Sequence, residues 1–269
     1  MKNHRIPVLV KTALSATLLL ASSALAHATV LVNENFESYT AGQKITTGGS
    51  WAAITTFTAS NYVEVSTSAQ STFGTGSQGM NFYHGGTNAN GLLAAYNFSE
   101  TVTTGILTWS FDFRMPTAES LSNVFVRLVG GGAANTGPAL VFDRSVAGNV
   151  YAWSGGGYGN GGNPVAQLTT SDWYRAVLSV DLDARKYSLS IVGGEYESLT
   201  SIFNNYNFVN NTTVSGLSRL QVATNLPSSP GGSFYMDNIV ISTIPEPAAW
   251  TAIVATIMLP MAAFRRRRR

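Results

Sequence analysis

The chain has 269 residues, of which 16 are basic and 14 acidic, only 11% charged in all, and it contains no cysteine. Without disulfides or thiolates, a chain of this length must stand on its own hydrophobic core. The net charge of +2 is made by the ends: three basic residues lie among the first 28 and five close the chain, leaving eight basic against 13 acidic residues over residues 29–242. That balance excludes a basic nucleic-acid surface.

In chain order, Lys2, His4 and Arg5 precede a mostly apolar run, Ile6 to Ala21, interrupted by Lys11. Ala24-Leu25-Ala26 and Ala26-His27-Ala28 both have the small-x-small form of a cleavage site. Residues 1–28 therefore read as a secretory signal peptide cut after Ala26 or Ala28, implying a Sec translocon and a signal peptidase. From residue 29 to 242, short β-rich runs alternate with Gly, Asn and Ser clusters. Strands are predicted at Thr29–Phe36, Tyr62–Thr67, Met80–His84 and Leu92–Ser99. Ile106–Met115 is the clearest: Leu107, Trp109, Phe111 and Phe113 share one face, and Thr108, Ser110, Asp112 and Arg114 the other. Further strands are predicted at Val124–Gly130, Ala139–Arg144 and Val150–Ser154, and Gly155–Asn163 reads as a mobile, glycine-rich surface loop. Trp173–Gly193 reads as a hairpin turning at Asp183-Ala184-Arg185, and Leu217–Thr224 and Ser233–Ser242 close the domain. Many strands, no βα alternation and no long repeat predict an all-β, antiparallel two-sheet sandwich.

The tail opens with Pro245-Glu246-Pro247, continues as the uncharged run Ala248–Phe264 and ends in Arg265, Arg266, Arg267, Arg268 and Arg269. Seventeen helical residues rise about 25 Å, which spans a slightly thinned bilayer with the arginines on the cytoplasmic side. A single C-terminal transmembrane helix over 248–264 is expected, with a sorting tail over 244–269. The three parts, in this order and at this end, resemble the PEP-CTERM sorting signal of Gram-negative bacteria. The resemblance implies recognition, and cleavage near Pro-Glu-Pro, by a membrane-embedded exosortase. It further implies an inner-membrane stage followed by delivery to the cell surface or an exopolysaccharide matrix.

Three stretches of the body resemble jelly-roll domains of the concanavalin A-like lectin and laminin G-like superfamily: NENFESYTAGQ (33–43), DWYRAVLSVDLDARKYSLSI (172–191) and FYMDNIVIS (234–242). A galactose-binding-like jelly roll is the alternative. In several jelly-roll carbohydrate-binding modules, acids near the first strand meet an Asp on the last strand at a structural calcium. By that resemblance Glu34, Glu37, Asp237 and Asn238 are the candidate calcium ligands. Trp51, Tyr83, Trp153 and Tyr158 are candidate exposed aromatics for stacking on sugar rings.

Catalytic patterns are weak. Gly74-Thr75-Gly76-Ser77-Gln78-Gly79 has the dinucleotide-loop spacing, but a strand-like run follows it rather than a helix. The E-x-D-x-E or E-x-D-x-x-E carboxylates of family 16 glycosidases, which share the concanavalin-like fold, do not occur. Asp181-Leu182-Asp183 and Glu195-Tyr196-Glu197 each lack a third member. The expectation is a surface-sorted protein without catalytic activity, its body a matrix component or a carbohydrate-binding module. An exported glycan hydrolase or lyase, and a purely structural adhesion protein, are the alternatives.

Overall fold

The structure is a computed structural model that describes residues 28–45, 50–53, 61–84, 93–115, 123–131, 135–143, 146, 148–210, 212–224 and 232–244. The expected signal peptide up to His27, Pro245–Pro247, the expected span and the Arg265–Arg269 cluster lie outside these residues. Among the described residues no helix is long and apolar enough to cross a membrane. Val30–Thr243 form one compact unit.

Alternating side chains build two eight-stranded antiparallel sheets. The first sheet runs β14 (Tyr196–Asn207), β13 (Lys186–Gly193), β12 (Trp173–Asp181), β6 (Ile106–Arg114), β16 (Gly232–Ile244), β4 (Gly79–His84) and β3 (Asn61–Ser66). β1 (Val30–Glu34) joins it by pairing with the second half of β16. The second sheet runs β10 (Gly157–Tyr158), β9 (Asn149–Ser154), β8 (Thr136–Asp143), β7 (Val124–Val129), β15 (Leu217–Thr224), β5 (Leu93–Val102) and β2 (Trp51–Ala53). β11 (Ala166–Gln167) pairs with β9. The all-β, antiparallel two-sheet sandwich predicted from the sequence is the fold observed.

The core lies between the sheets and is aromatic where β6 faces β8. Leu107, Trp109, Phe111 and Phe113 are all fully buried. Phe113 meets Phe142 of the second sheet at 4.7 Å between ring centroids, and Phe142 meets Phe234 at 4.9 Å. Such offset pairs add roughly 0.5–1.5 kcal/mol each beyond the area they bury. Tyr187 reaches across from β13, its hydroxyl donating to the carbonyls of Ala139 (3.0 Å) and Trp153 (2.8 Å). It pins β8 and β9 to the opposite sheet.

Two features depart from the sequence reading. Gly155–Asn163 is not simply a loop: Gly155 (φ 60°) and Gly156 (φ 85°) form a two-residue hairpin turn that pairs β10 with β9, and a 3₁₀ turn follows at Asn160–Gly162. Positive φ at both central residues is what such a tight hairpin requires, and glycine supplies it without strain. On β16, Phe234 and Met236 face the core, as do Ile239 and Ile241. The three-residue step between them is a bulge at Asn238 (φ 47°), which turns Asp237 and Asn238 together off the core face.

Candidate functional site

The outer face of the second sheet gathers most of the chemistry. Its core-facing residues are Val124, Val126 and Leu128 on β7, Leu140 and Phe142 on β8, and Val150 and Ala152 on β9. Period two therefore turns Phe125, Arg127, Ala139, Val141, Tyr151 and Trp153 outward. Register aligns them: Tyr158 lies opposite Trp153, Trp153 opposite Ala139, Ala139 opposite Arg127, and Arg127 opposite Gln221. The neighbouring row runs Tyr151, Val141, Phe125 and Ala223.

At one end of these rows the rings form a cluster. Tyr151 and Tyr158 lie 4.8 Å apart between centroids, Trp153 and Tyr158 6.0 Å, and Phe125 and Trp153 5.3 Å. Tyr158 is 42% exposed, while Phe125 is buried beneath its neighbours. Hydrogen bonds from Asn149 Nδ2 to Tyr151 (3.3 Å) and from Asn123 Nδ2 to Tyr158 (3.3 Å) orient the phenols. The small Ala139 between Trp153 and Arg127 leaves the larger side chains standing proud on either side.

Arg127 on β7 and Arg219 on β15 occupy the other end. Arg127 Nε donates to Gln221 Oε1 (3.2 Å), and Arg219 Nη2 reaches the Gly130 carbonyl at 3.5 Å. Burial, and then the neighbouring charge of Arg219, push Arg127 below the ordinary guanidinium range. The Nε1 of Trp153 and the Nε of Arg219 are buried donors without a partner among the described residues.

Two of the four aromatics singled out in the sequence, Trp153 and Tyr158, are thus brought together. Trp51 is not the exposed residue expected: it is fully buried in β2 against Phe36, Phe82 and Tyr96 and cannot meet a ligand. Tyr83 is half-buried on the outer face of the other sheet, stacked on Tyr62 at 5.0 Å. Sequence reasoning missed Tyr151, Phe125, Arg127 and Arg219. The signal available was the arginine interrupting an otherwise apolar strand, VFVRLVG.

A second polar cluster lies on the outer face of the first sheet, where residues 67–78 cross it as a strap. Asp112, fully buried, accepts from Arg175 Nε (2.6 Å) and Nη2 (3.0 Å), Ser71 Oγ (2.7 Å) and Asn238 Nδ2 (2.7 Å). Asp237 accepts from the backbone N–H groups of Ser71 (3.0 Å) and Asn238 (2.7 Å). Burial pushes its carboxyl up to about 6, with those two bonds opposing and the charges of Asp112 and Glu37 adding to the rise. Glu37 accepts from Ser77 N (2.7 Å), Ser77 Oγ (2.8 Å) and Gln78 N (3.0 Å), and these bonds hold it below the usual carboxylate range. Glu34 turns elsewhere, to Phe36 N (2.9 Å) and the Tyr39 hydroxyl (3.3 Å).

Glu34, Glu37, Asp237 and Asn238 therefore do not converge as one ligand set. Among the described residues no group of three or more His, Cys, Asp or Glu side chains could hold a metal ion. The cation that buried Asp112 meets is the Arg175 guanidinium. A calcium site on these residues gains no support, and the cluster reads as the clasp of the strap.

No protein-family model matches the sequence, and no curated protein matches it. Among solved structures, the chain is similar to the catalytic domain of the glycoside hydrolase family 131 protein from Coprinopsis cinerea. The TM-score is 0.58 at 15% identity, over 81% of this chain and 95% of that one. A family 131 beta-glucanase catalytic domain from Podospora anserina aligns at TM-score 0.50 and 11% identity, over 82% of this chain and 86% of that one. Lectin UEA-II complexed with galactose aligns at TM-score 0.47 and 7% identity, over 80% of this chain and 100% of the lectin, too distant to carry weight. The two family 131 likenesses show the fold alone, a two-sheet jelly-roll sandwich, and nothing about activity.

Proposed function

We propose that the protein is an exported, exosortase-sorted surface or exopolysaccharide-matrix protein whose sandwich binds carbohydrate, without catalysis, on the outer face of the second sheet. The observation that carries the reading is the ring cluster of Tyr151, Trp153 and Tyr158 in register with Arg127 and Gln221. The apolar face of a pyranose packs on aromatic rings, while amide and guanidinium groups fix its hydroxyls. Export and sorting rest on residues 1–28 and 244–269, read from their sequence. The partners are a signal peptidase, an exosortase and a glycan, with a membrane stage before processing.

The likeness to a beta-glucanase catalytic domain makes glycan hydrolysis the second reading. Hydrolysis with two carboxylates needs them roughly 5–10 Å apart across the sugar. The two rows traced above carry no carboxylate; Asp143 lies beyond them, at the end of β8 opposite Asn149. That supports binding over hydrolysis.

The test is a pulldown of the purified full chain on insoluble polysaccharides, with release of reducing ends measured in parallel. Saturable binding that falls about tenfold or more in Trp153→Ala, with no new reducing ends, is expected, since truncating a central aromatic anchor costs about 2 kcal/mol or more. Binding that survives in both Trp153→Ala and Tyr158→Ala would place the ligand elsewhere. Intact mass of the protein from a host with an exosortase reads the sorting step, and retention of Arg265–Arg269 would refute processing.

A further inference from the structure

The chemistry of this face is lopsided. Trp153 Nε1 and Arg219 Nε are buried donors with no acceptor among the described residues. Arg127 makes a single hydrogen bond, through Nε to Gln221, which leaves its terminal amines without an acceptor among the described residues. The rings contribute apolar surface, and the row contains no carboxylate between Trp153 and Gln221. The contrast with the other sheet is direct. There Arg175 is answered by Asp112 across a bidentate pair, whereas neither Arg127 nor Arg219 meets a carboxylate among the described residues. The body holds 13 acidic residues to eight basic ones. Two of those few cations standing side by side, unpaired and partly desolvated, is an arrangement that costs stability unless something anionic completes it.

We infer that this face takes an acidic polysaccharide, one whose sugar carboxylates sit on the Arg127–Arg219 pair while a neighbouring ring of the chain stacks on Trp153 and Tyr158. The inference rests on the carbohydrate-binding reading above and narrows it to uronate-bearing chains. Register gives the spacing: Trp153 and Arg127 are two strands apart, roughly 10 Å. That is about the length of a disaccharide, so one residue stacks while the next presents its carboxylate. A guanidinium matches a planar carboxylate through two parallel N–H···O bonds, and Arg127 still has the terminal amines to make such a contact. Neutral chains offer hydroxyls, which cannot neutralise two adjacent cations.

The experiment compares three polymers against the purified full chain: a polyuronate, the same polyuronate with its carboxyl groups reduced to alcohols, and dextran sulfate. Binding to the polyuronate at least tenfold tighter than to its reduced form, weakening as salt rises, is the expected result. Arg127→Gln and Arg219→Gln should each erase most of that difference, about tenfold or more, bringing polyuronate binding down to the level each variant shows for the reduced polymer. The carboxyl-reduced ligand keeps the test valid even if a variant folds poorly. Equal affinity for both uronate forms overturns the inference but leaves the carbohydrate-binding reading standing. Binding to none of the three refutes both. Dextran sulfate binding as tightly as polyuronate would make the pair a general polyanion site and overturn the carboxylate assignment.

Discussion

Replacing Asp112 by alanine should release the strap of residues 67–78 from the first sheet. Asp112 is fully buried and accepts four hydrogen bonds, two of them from Arg175, the residue directly opposite it on β12. Removing one partner of a buried ion pair costs about 3–5 kcal/mol, because the other charge is left without compensation. The Arg175 side chain is 33% exposed and can regain some hydration, which puts the loss near the lower bound, about 3 kcal/mol. For a domain of this size each kcal/mol lowers the melting temperature by about 2–4 °C, so a drop of roughly 6–12 °C is expected. Thermal melting followed by circular dichroism, with urea midpoints as a second probe, reads it directly. Asp112→Leu combined with Arg175→Met should recover part of the loss, since a packed apolar pair carries no desolvation debt. If Asp112→Ala lowers stability by less than about 1 kcal/mol, a solvated ion pair of ordinary surface strength is at work and the clasp reading fails.

Two further perturbations probe the frame. The carboxyl of Asp237 is raised from 3.8 to about 6 in the folded protein, so the native state holds its proton where the unfolded chain releases it. Its contribution therefore strengthens stability as pH falls from about 6 towards 4, by up to about 3 kcal/mol. Glu37 acts in the opposite sense: its lowered pKa contributes stability that is lost as pH falls below the ordinary glutamate range. Urea midpoints across this window should flatten in Asp237→Asn, and an unchanged profile would exclude Asp237 as the titrating group. Tyr187→Phe removes two bonds to carbonyls of β8 and β9, and should cost about 1–3 kcal/mol in the same assay. A loss under about 0.5 kcal/mol would show that water replaces the hydroxyl there.

Much of the frame was legible because period two is a strong signal. β6 could be oriented from LTWSFDF alone, and the hairpin predicted at Trp173–Gly193 is β12 and β13. β14 was missed because it is an edge strand: most of its 12 residues are exposed, so no alternation marks it. The site was harder for a different reason. Tyr158, Trp153, Ala139, Arg127 and Gln221 come from five strands and meet only through long-range register, which no local pattern encodes. Trp51 failed in the same way: a tryptophan beside glycines and a serine looks like a loop residue until β5 pairs with its strand and closes the core around it. At β16 the composition was readable, but the bulge that sends Asp237 and Asn238 to the same side was not.

The placement of β15 and β16 has a consequence for the order of events as the chain emerges. β16 lies between β6 on one side and β4 and β1 on the other, and β15 lies between β7 and β5. Until residues 217–244 arrive, the second sheet exists as two unjoined parts and the first as two parts with β1 unpaired, all with open edges, and the longest-range contacts of the fold cannot form. Under the export proposed above, threading through a membrane pore would require an unfolded chain, and this topology would delay collapse until nearly the whole body had crossed. The same arrangement makes truncation unforgiving. Loss of the final strand would not trim an edge but would remove the seam that makes the first sheet one object.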